Sequence, residues 1–355
     1  MPFKPRRPAG GFRIMYEYAN RLSLSGYSVH LIYPLKTQFM KYRWPYWVRL
    51  LLSYIEGFRT NKWFKFNPKI TMKYVPSITD KYVPDADIIF VTWWATVLDV
   101  GNLSPSKGKK INLIQGFENW EGHIDLLYSS YDIPNMVNVV VADYLKDIVA
   151  AHTQKKTVQI SNSVDGREFH ISTPINTRKN TTVCMLHSIQ EIKGSKYGIE
   201  ALKIVKQKFP ELTVQLFGIC PEPKNLPDWM TFQRNPQNLC GLFNENAIFV
   251  TNSLTEGFSL LPVEAMLCGC ASVCTNISGH KEYAINKETA LLVEPENPEE
   301  MAEKISFLIS NNSVRIELAC KGSEYVQRFS WDSAMGKMNT LLSEVMENRD
   351  VTCNY

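Results

Sequence analysis

Short apolar runs alternate with longer runs of helical periodicity along nearly all of the 355 residues. That rhythm permits few architectures. Strands separated by helices pair in parallel through crossovers rather than as hairpins, so the chain is predicted to be α/β with parallel sheets. In the first half FRIMYEYANRLSLSG has apolar residues at helical spacing and closes at Gly26, followed by the strand candidates YSVHLIYP, ITMKYVP, DADIIFVTWW and KKINLIQG. MVNVVVADYLKDIVAAH and TVQISNSVDG continue the pattern. Periodicity is lost in the polar stretch GREFHISTPINTRKN (166–180), which reads as a linker.

The rhythm then restarts. TTVCMLHS, LTVQLFG, MTFQRN, AIFVTNS, ASVCTN and ALLVE read as strands, SKYGIEALKIVKQKF as an amphipathic helix, and three helices close the chain. A chain of this length exceeds one ordinary core, so two doubly wound domains are expected, with ligands at the carboxyl ends of their strands. The expected division is 1–168, 169–325 and a closing helical segment, 326–355.

A net charge of +4 gives no reason to expect a nucleic-acid partner. The eight cysteines all lie beyond residue 180 and form no CxxC pair, and only His280 lies near a cluster of them. No metal site is expected from that spacing; Cys268, Cys270 and Cys274 read as reduced, buried small residues of a cytoplasmic protein. The basic start MPFKPRRPAGG lacks an apolar region after it, so it does not read as a signal peptide. No apolar run is long enough to span a bilayer.

The most informative stretch is TEGFSLLPVEAM (255–266), directly after a buried-strand candidate. Pro262 is tolerated only in a first turn, so a helix should start near Leu260 with Ser259 as its N-cap. The unpaired N–H groups at such an end form a seat for phosphate. Glu256 stands just before the seat, and Glu264 about 7–8 Å further along the axis. Carboxylates accept paired hydrogen bonds from vicinal hydroxyls, so the order carboxylate, amide-rich turn, carboxylate matches sugar, pyrophosphate, ribose. Solvated helix-end charges are the competing explanation for each glutamate alone. The pair, followed by the small residues Ala265, Gly269 and Ala271, favours a ligand.

The segment SLTEGFSLLPVEAMLCGCASVCTNISGHKEYAINKETALLVEPENPEEMAEKI resembles the donor site of glycosyltransferase family 4, retaining enzymes of the GT-B fold, whose E-x7-E motif lies in EGFxLxxxEAMxxGxxxV. The resemblance is close over about fifty residues. It implies two Rossmann-like doubly wound domains facing across a cleft. It implies Glu256 on donor-sugar hydroxyls, Glu264 on the ribose diol, and the backbone of Gly257, Phe258, Ser259, Leu260 and Leu261 on sugar and pyrophosphate. Gly279 and Glu282 match a turn that shapes the donor pocket. HSIQEIKGSKYG resembles the strand–loop–helix whose Lys-Gly, here Lys193 and Gly194, holds the leaving diphosphate. His187 stands where many members have Arg. Lys193 would offset charge developing on the departing diphosphate. No DxD-type pair follows a strand, so no divalent ion and no cofactor is expected.

Gly10 and Gly11 resemble the family's glycine-rich turn before the first helix, which implies backbone N–H groups brought to the donor phosphates. The family's first strand should precede them, yet MPFKPRRPA, with three prolines and three cations, cannot be a buried parallel strand. The expectation is therefore a chain starting downstream of its ancestral start and a first sheet without its innermost strand. A family histidine after the fourth strand has no counterpart; Thr92 or Trp93 stands there. With Glu118 and His123, Thr92 is an acceptor-side candidate, Glu118 reading equally as a solvated loop carboxylate.

Lys36 to Lys73 carries nine cations against Glu56 alone, amid ten aromatic residues. That composition fits a segment lying on an anionic membrane surface, the alternative being a helical insertion packed onto its own domain. The reading is a retaining, metal-independent glycosyltransferase moving a sugar from a nucleoside-diphosphate sugar to a hydroxyl of a glycan or lipid-linked glycan in cell-surface polysaccharide synthesis. Its expected place is the cytoplasm, peripheral to the inner face of the cell membrane. The alternatives are a non-catalytic sugar-nucleotide-binding or scaffold protein, and a sugar-nucleotide epimerase of the same fold. A dinucleotide oxidoreductase is disfavoured because no GxGxxG follows a strand.

Overall fold

The computed structural model describes residues 1–5, 7–39, 44–57, 63–119, 122–155 and 157–347. Helices α1 (Gly10–Leu24), α2 (Tyr46–Gly57), α3 (Trp94–Gly101), α4 (Ile124–Tyr131) and α5 (Asp143–Ala150) alternate with strands β1 (His30–Lys36), β2 (Thr71–Ser77), β3 (Ile88–Val91), β4 (Lys109–Ile114), β5 (Met136–Val140) and β6 (Thr157–Gln159). Beyond them come β7 (Thr182–Leu186), α6 (Ser195–Lys208), β8 (Thr213–Gly218), β9 (Met230–Arg234), α7 (Leu239–Glu245), β10 (Ile248–Thr251), α8 (Leu260–Leu267), β11 (Ala271–Thr275) and β12 (Ala290–Val293). Helices α9 (Pro298–Ser310), α10 (Asn312–Tyr325) and α11 (Trp331–Met346) close the chain.

Two compact units result: residues 1–162 with 334–355, and residues 163–333. The boundary thus falls ahead of the polar stretch, which is packed into the second unit rather than strung out as a spacer. Phe169 is buried there, and the guanidinium of buried Arg178 donates to the carbonyl oxygens of Thr173, Asn246 and Cys268 and to Asn244 Oδ1. One charged side chain so satisfies several backbone carbonyls that burial would otherwise strand. The second unit reaches to Ser333, so α11 starts in it and continues into the first unit.

The second unit holds one all-parallel sheet in the order β12-β11-β10-β7-β8-β9. Apolar strands such as β10 and β11, buried at every position, are what helices on both faces require. Strand order reverses between β7 and β10, so the loops leaving those two strands part to opposite sides and open a crevice. The first unit differs: β3-β4-β5-β6 form one parallel sheet and β1-β2 a separate parallel pair. None of the described residues from 1 to 9 lies in a strand.

Aromatic rings pack around α1 and β1. Tyr16 contacts Trp63, Phe64 and Phe66 at centroid distances of 5.5, 5.2 and 4.7 Å, and its hydroxyl lies 2.9 Å from that of Tyr33. Phe39 packs on Trp94 at 5.5 Å. These members of the basic, aromatic stretch are half-buried, while Tyr42 and Phe58 lie outside the described residues. Among the described residues no helix is long and apolar enough to cross a membrane, no three His, Cys, Asp or Glu side chains gather as a metal site, and the cysteines are free, with Cys268, Cys270 and Cys274 buried.

Candidate functional site

The crevice of the second unit is built by the segments that follow β7 and β10. After β7 the chain runs through His187 and Ser188 into a short 3-10 turn, Glu191–Lys193, and then into α6. Two hydrogen bonds tie this loop to the end of β10: Asn252 Nδ2 donates to the Lys193 carbonyl at 2.7 Å, and the Leu254 amide to the Ile192 carbonyl at 2.7 Å. Gly194 makes the junction possible. It sits in the left-handed region (φ 57°), and a Cβ there would stand 2.0 Å from the Asn252 carbonyl oxygen.

Fixed in this way, Lys193 extends its ammonium to Glu256 Oε1 at 2.5 Å, and Ser253 Oγ donates to the same oxygen at 2.7 Å. The two charged side chains are only 23% and 13% exposed, which places the pair in a recess rather than on open surface. Glu256 is positioned in turn by a turn from further along the chain. A Cβ on Gly279 would meet the Glu256 carbonyl oxygen at 2.3 Å, so only glycine lets the two backbones come this close. Next to Gly279, His280 is fully buried, with Nδ1 2.8 Å from the Thr275 carbonyl. Burial pushes its pKa down, so it is neutral at neutral pH.

Helix α8 begins at Leu260, as Pro262 requires. Ser259 occupies the N-cap position, but its side chain makes no capping bond. Its backbone stands at φ 61°, ψ 107°, strain of about 1–3 kcal/mol for a residue with a Cβ. No acidic residue lies in the first turn of α8. The backbone at 257–261 therefore carries the helix's positive end without a side-chain cap. The Phe258 ring belongs to the interior, packed edge-on against Tyr283 and Phe329 at 5.5 and 5.3 Å. Glu264 lies one turn further along α8 and is buried. His187 stands at the end of β7, its ring edge-on to Phe232 at 6.0 Å, and burial lowers its pKa as well.

The structure thus gathers Lys193, Gly194, Glu256 and Gly279 through direct contacts, with Gly257 and the start of α8 next in the chain. Sequence reasoning missed Asn252 and Ser253, the residues that hold the lysine loop and the glutamate.

The candidates of the first unit are differently occupied. Gly10 and Gly11 are the first two residues of α1 rather than a turn before it, because the helix already forms at Gly10. Thr92 is buried, donating to the Leu113 carbonyl at 2.8 Å. Glu118 Oε2 accepts from the Trp94 amide at 2.9 Å, a structural task at the start of α3. The His123 ring packs on Trp94 at 5.7 Å. Gln115, which the sequence did not single out, links this group: its Nε2 lies 3.2 Å from the Gly11 carbonyl and 3.1 Å from Thr92 Oγ1.

Residues 165–327 match the family described as glycosyl transferases group 1. An uncharacterized glycosyltransferase of Methanocaldococcus jannaschii is 32% identical over 101 residues, 28% of this chain and 29% of that protein. A capsular polysaccharide biosynthesis glycosyltransferase of Staphylococcus aureus, CapM, is 25% identical over 180 residues, 46% of this chain and 47% of that one. The chain spans less than half the length of these two curated relatives. Among solved structures, Anabaena HepE in complex with UDP superposes with a TM-score of 0.74 at 15% identity, over 97% of this chain and 100% of that one. The architecture is the GT-B fold.

Proposed function

We propose that the protein is a retaining glycosyltransferase whose nucleoside-diphosphate sugar binds in the crevice of the second unit. The observation that carries this reading is the Lys193–Glu256 pair at the point where strand order reverses, with Glu256 in the loop that leads into α8. The similarity of residues 165–327 to group 1 glycosyl transferases supports it. In this reading the E-x7-E pair places Glu264 on the ribose diol and Glu256 on hydroxyls of the donor sugar. The diphosphate lies on the amides of residues 257–261 and against Lys193, with Gly194 and His187 beside it.

The chemistry follows from that placement. The bond between the anomeric carbon and the phosphate oxygen breaks, and the bond to the acceptor hydroxyl forms on the same face of the sugar. The acceptor's proton passes to the departing phosphate oxygen, and the nucleoside diphosphate leaves. Lys193 and the α8 amides offset charge that grows on the leaving group, which is the largest electrostatic demand of the step. Lys193 is already held by Glu256, so donor binding recruits a lysine of fixed position rather than a mobile one. This assigns the leaving group to protein groups, and chelators would leave turnover unchanged.

The acceptor in this reading is a hydroxyl of a glycan or lipid-linked glycan, in keeping with the similarity to a capsular polysaccharide relative. Thermal-shift titration with UDP, GDP, dTDP and ADP and their sugars tests the donor site. One nucleotide family should raise the melting temperature, and Glu264→Ala should weaken that shift. A cooperatively melting protein shifted by none of them would overturn the reading.

A further inference from the structure

We infer that the outer face of α2 is a docking surface for an anionic lipid bilayer. The stretch from Lys36 to Lys73 is rich in aromatic residues throughout, but the structure divides them. Those after α2 that it describes, Trp63, Phe64 and Phe66, are half-buried and pack on the buried Tyr16. Those on and just before α2 do not turn inward. Trp47, Leu51 and Tyr54 are 63%, 56% and 67% exposed and recur at i, i+4 and i+7, one side of a helix. Trp44 and Tyr46 are exposed beside them at the start of the helix.

Five of the seventeen large, exposed hydrophobic side chains among the described residues therefore fall within eleven consecutive positions. Trp44 and Trp47 are the only exposed tryptophans among the described residues. Scattered apolar side chains on a surface need no explanation, but a helix that directs its apolar side outward does. The other side of α2 already has a partner: Ser53 is buried, and the helix packs on β1 and β2. Arg49 steadies the exposed end, donating from Nε to the Trp44 carbonyl at 3.1 Å with its guanidinium 5.9 Å from the Tyr46 ring.

Charge and residue type select the occupant. The stretch carries nine cations against one acidic residue, and Lys36, Lys65, Lys69 and Lys73 are exposed. Anionic lipid headgroups complement that balance, each cation near such a surface adding to the attraction. Tryptophan and tyrosine prefer the boundary between headgroups and acyl chains, where a ring can be buried while its polar atom stays wet. A helix of this kind lies in the plane of the interface rather than crossing it. The inference rests on the first unit and is independent of the donor-site reading, so either can fail alone.

Co-sedimentation of the purified chain with vesicles tests it, using phosphatidylcholine alone and phosphatidylcholine with phosphatidylglycerol. The expected result is binding to the anionic vesicles at low salt, weakened by added salt and by omitting phosphatidylglycerol. The variant W47S/L51S/Y54S should keep the wild-type melting temperature and lose at least about tenfold in vesicle affinity. Phe307→Ser, an exposed position in the second unit, should change nothing. Lipids brominated on their acyl chains should quench tryptophan fluorescence of the wild type, a readout that needs no variant. No binding to anionic vesicles at low salt, or binding that survives the triple substitution, would overturn the inference. So would a dimer in sedimentation velocity that the triple variant abolishes while vesicles remain unbound, since α2 would then serve a second copy of the chain.

Discussion

Two helices, one in each unit, begin in the same unusual way. Trp93 before α3 stands at φ 71°, ψ 120°, and Ser259 before α8 at φ 61°, ψ 107°. Neither residue is glycine, neither caps its helix with its own side chain, and both follow the end of a parallel strand. The helices differ in what meets their positive ends. At α3 the carboxylate of Glu118 accepts the Trp94 amide, so the chain supplies its own anion. At α8 the first turn is free of acidic residues, and the nearby carboxylate, Glu256, is paired with a lysine instead. The same backbone device meets the chain's own carboxylate in one unit, while in the other the nearby carboxylate is paired with Lys193.

The strongest test acts on the part that only the second unit has, the lysine loop. Gly194→Val should cost about 3 kcal/mol or more, because a Cβ would collide with the Asn252 carbonyl in a left-handed backbone. Thermal denaturation would show it, and a variant melting like the wild type would mean that the loop is not held as described. Lys193→Met should keep the fold and weaken nucleoside-diphosphate binding by about 2 kcal/mol, some thirtyfold, measured by calorimetry. Ser259→Asp brings α8 closer to α3: asparagine and aspartate tolerate positive φ, so the fold should hold while an internal carboxylate competes with the diphosphate. An affinity loss of about tenfold is expected; unchanged binding would break the contrast between the two helix ends.

Glu118→Gln approaches the comparison from the other side. It keeps the side chain's shape and removes its charge at α3, so stability should fall by about 1 kcal/mol with nucleotide binding unaffected. The smallest effect at neutral pH belongs to His280. Its folded pKa lies below the ordinary value of 6.5, so between those two pH values the unfolded chain binds the proton and the folded chain does not. Its contribution to stability is therefore constant above about pH 6.5 and is lost as pH falls below it. His280→Asn should flatten that acid slope in urea titrations across pH 5 to 7.

Most of the sheet was legible from the sequence because parallel strands buried on both faces are written as unbroken apolar runs. Every strand candidate corresponds to an observed strand. The shorter helices α3, α4 and α7, of seven or eight residues, carry too few turns for a periodic signal and went unassigned. In the crevice, Glu256 was singled out from its place ahead of a helix start and Lys193 from a family resemblance, and the structure pairs the two. Asn252 and Ser253 could not be singled out, because their role is to bond backbone and side chains brought together only when β7 and β10 become neighbours. Glu118 shows the opposite limit: a carboxylate at a strand end looks the same in sequence whether it awaits a ligand or caps a helix. The division of the aromatics between Tyr16 and the outer face of α2 was equally hidden, since composition is the same on either side of that line.

The way the chain divides between its units also bears on its synthesis. The second unit is one continuous segment, residues 163–333, whereas the first is completed only by residues from 334 onward. Domains generally fold as units as they leave the ribosome, the earlier one first. Here that order is unsettled: residues 1–162 emerge first but lack the carboxyl-terminal helix of their unit, while the second unit has all its strands before α11 is made. Nascent chains arrested just past Ser333 should then protect the second unit from protease ahead of the first.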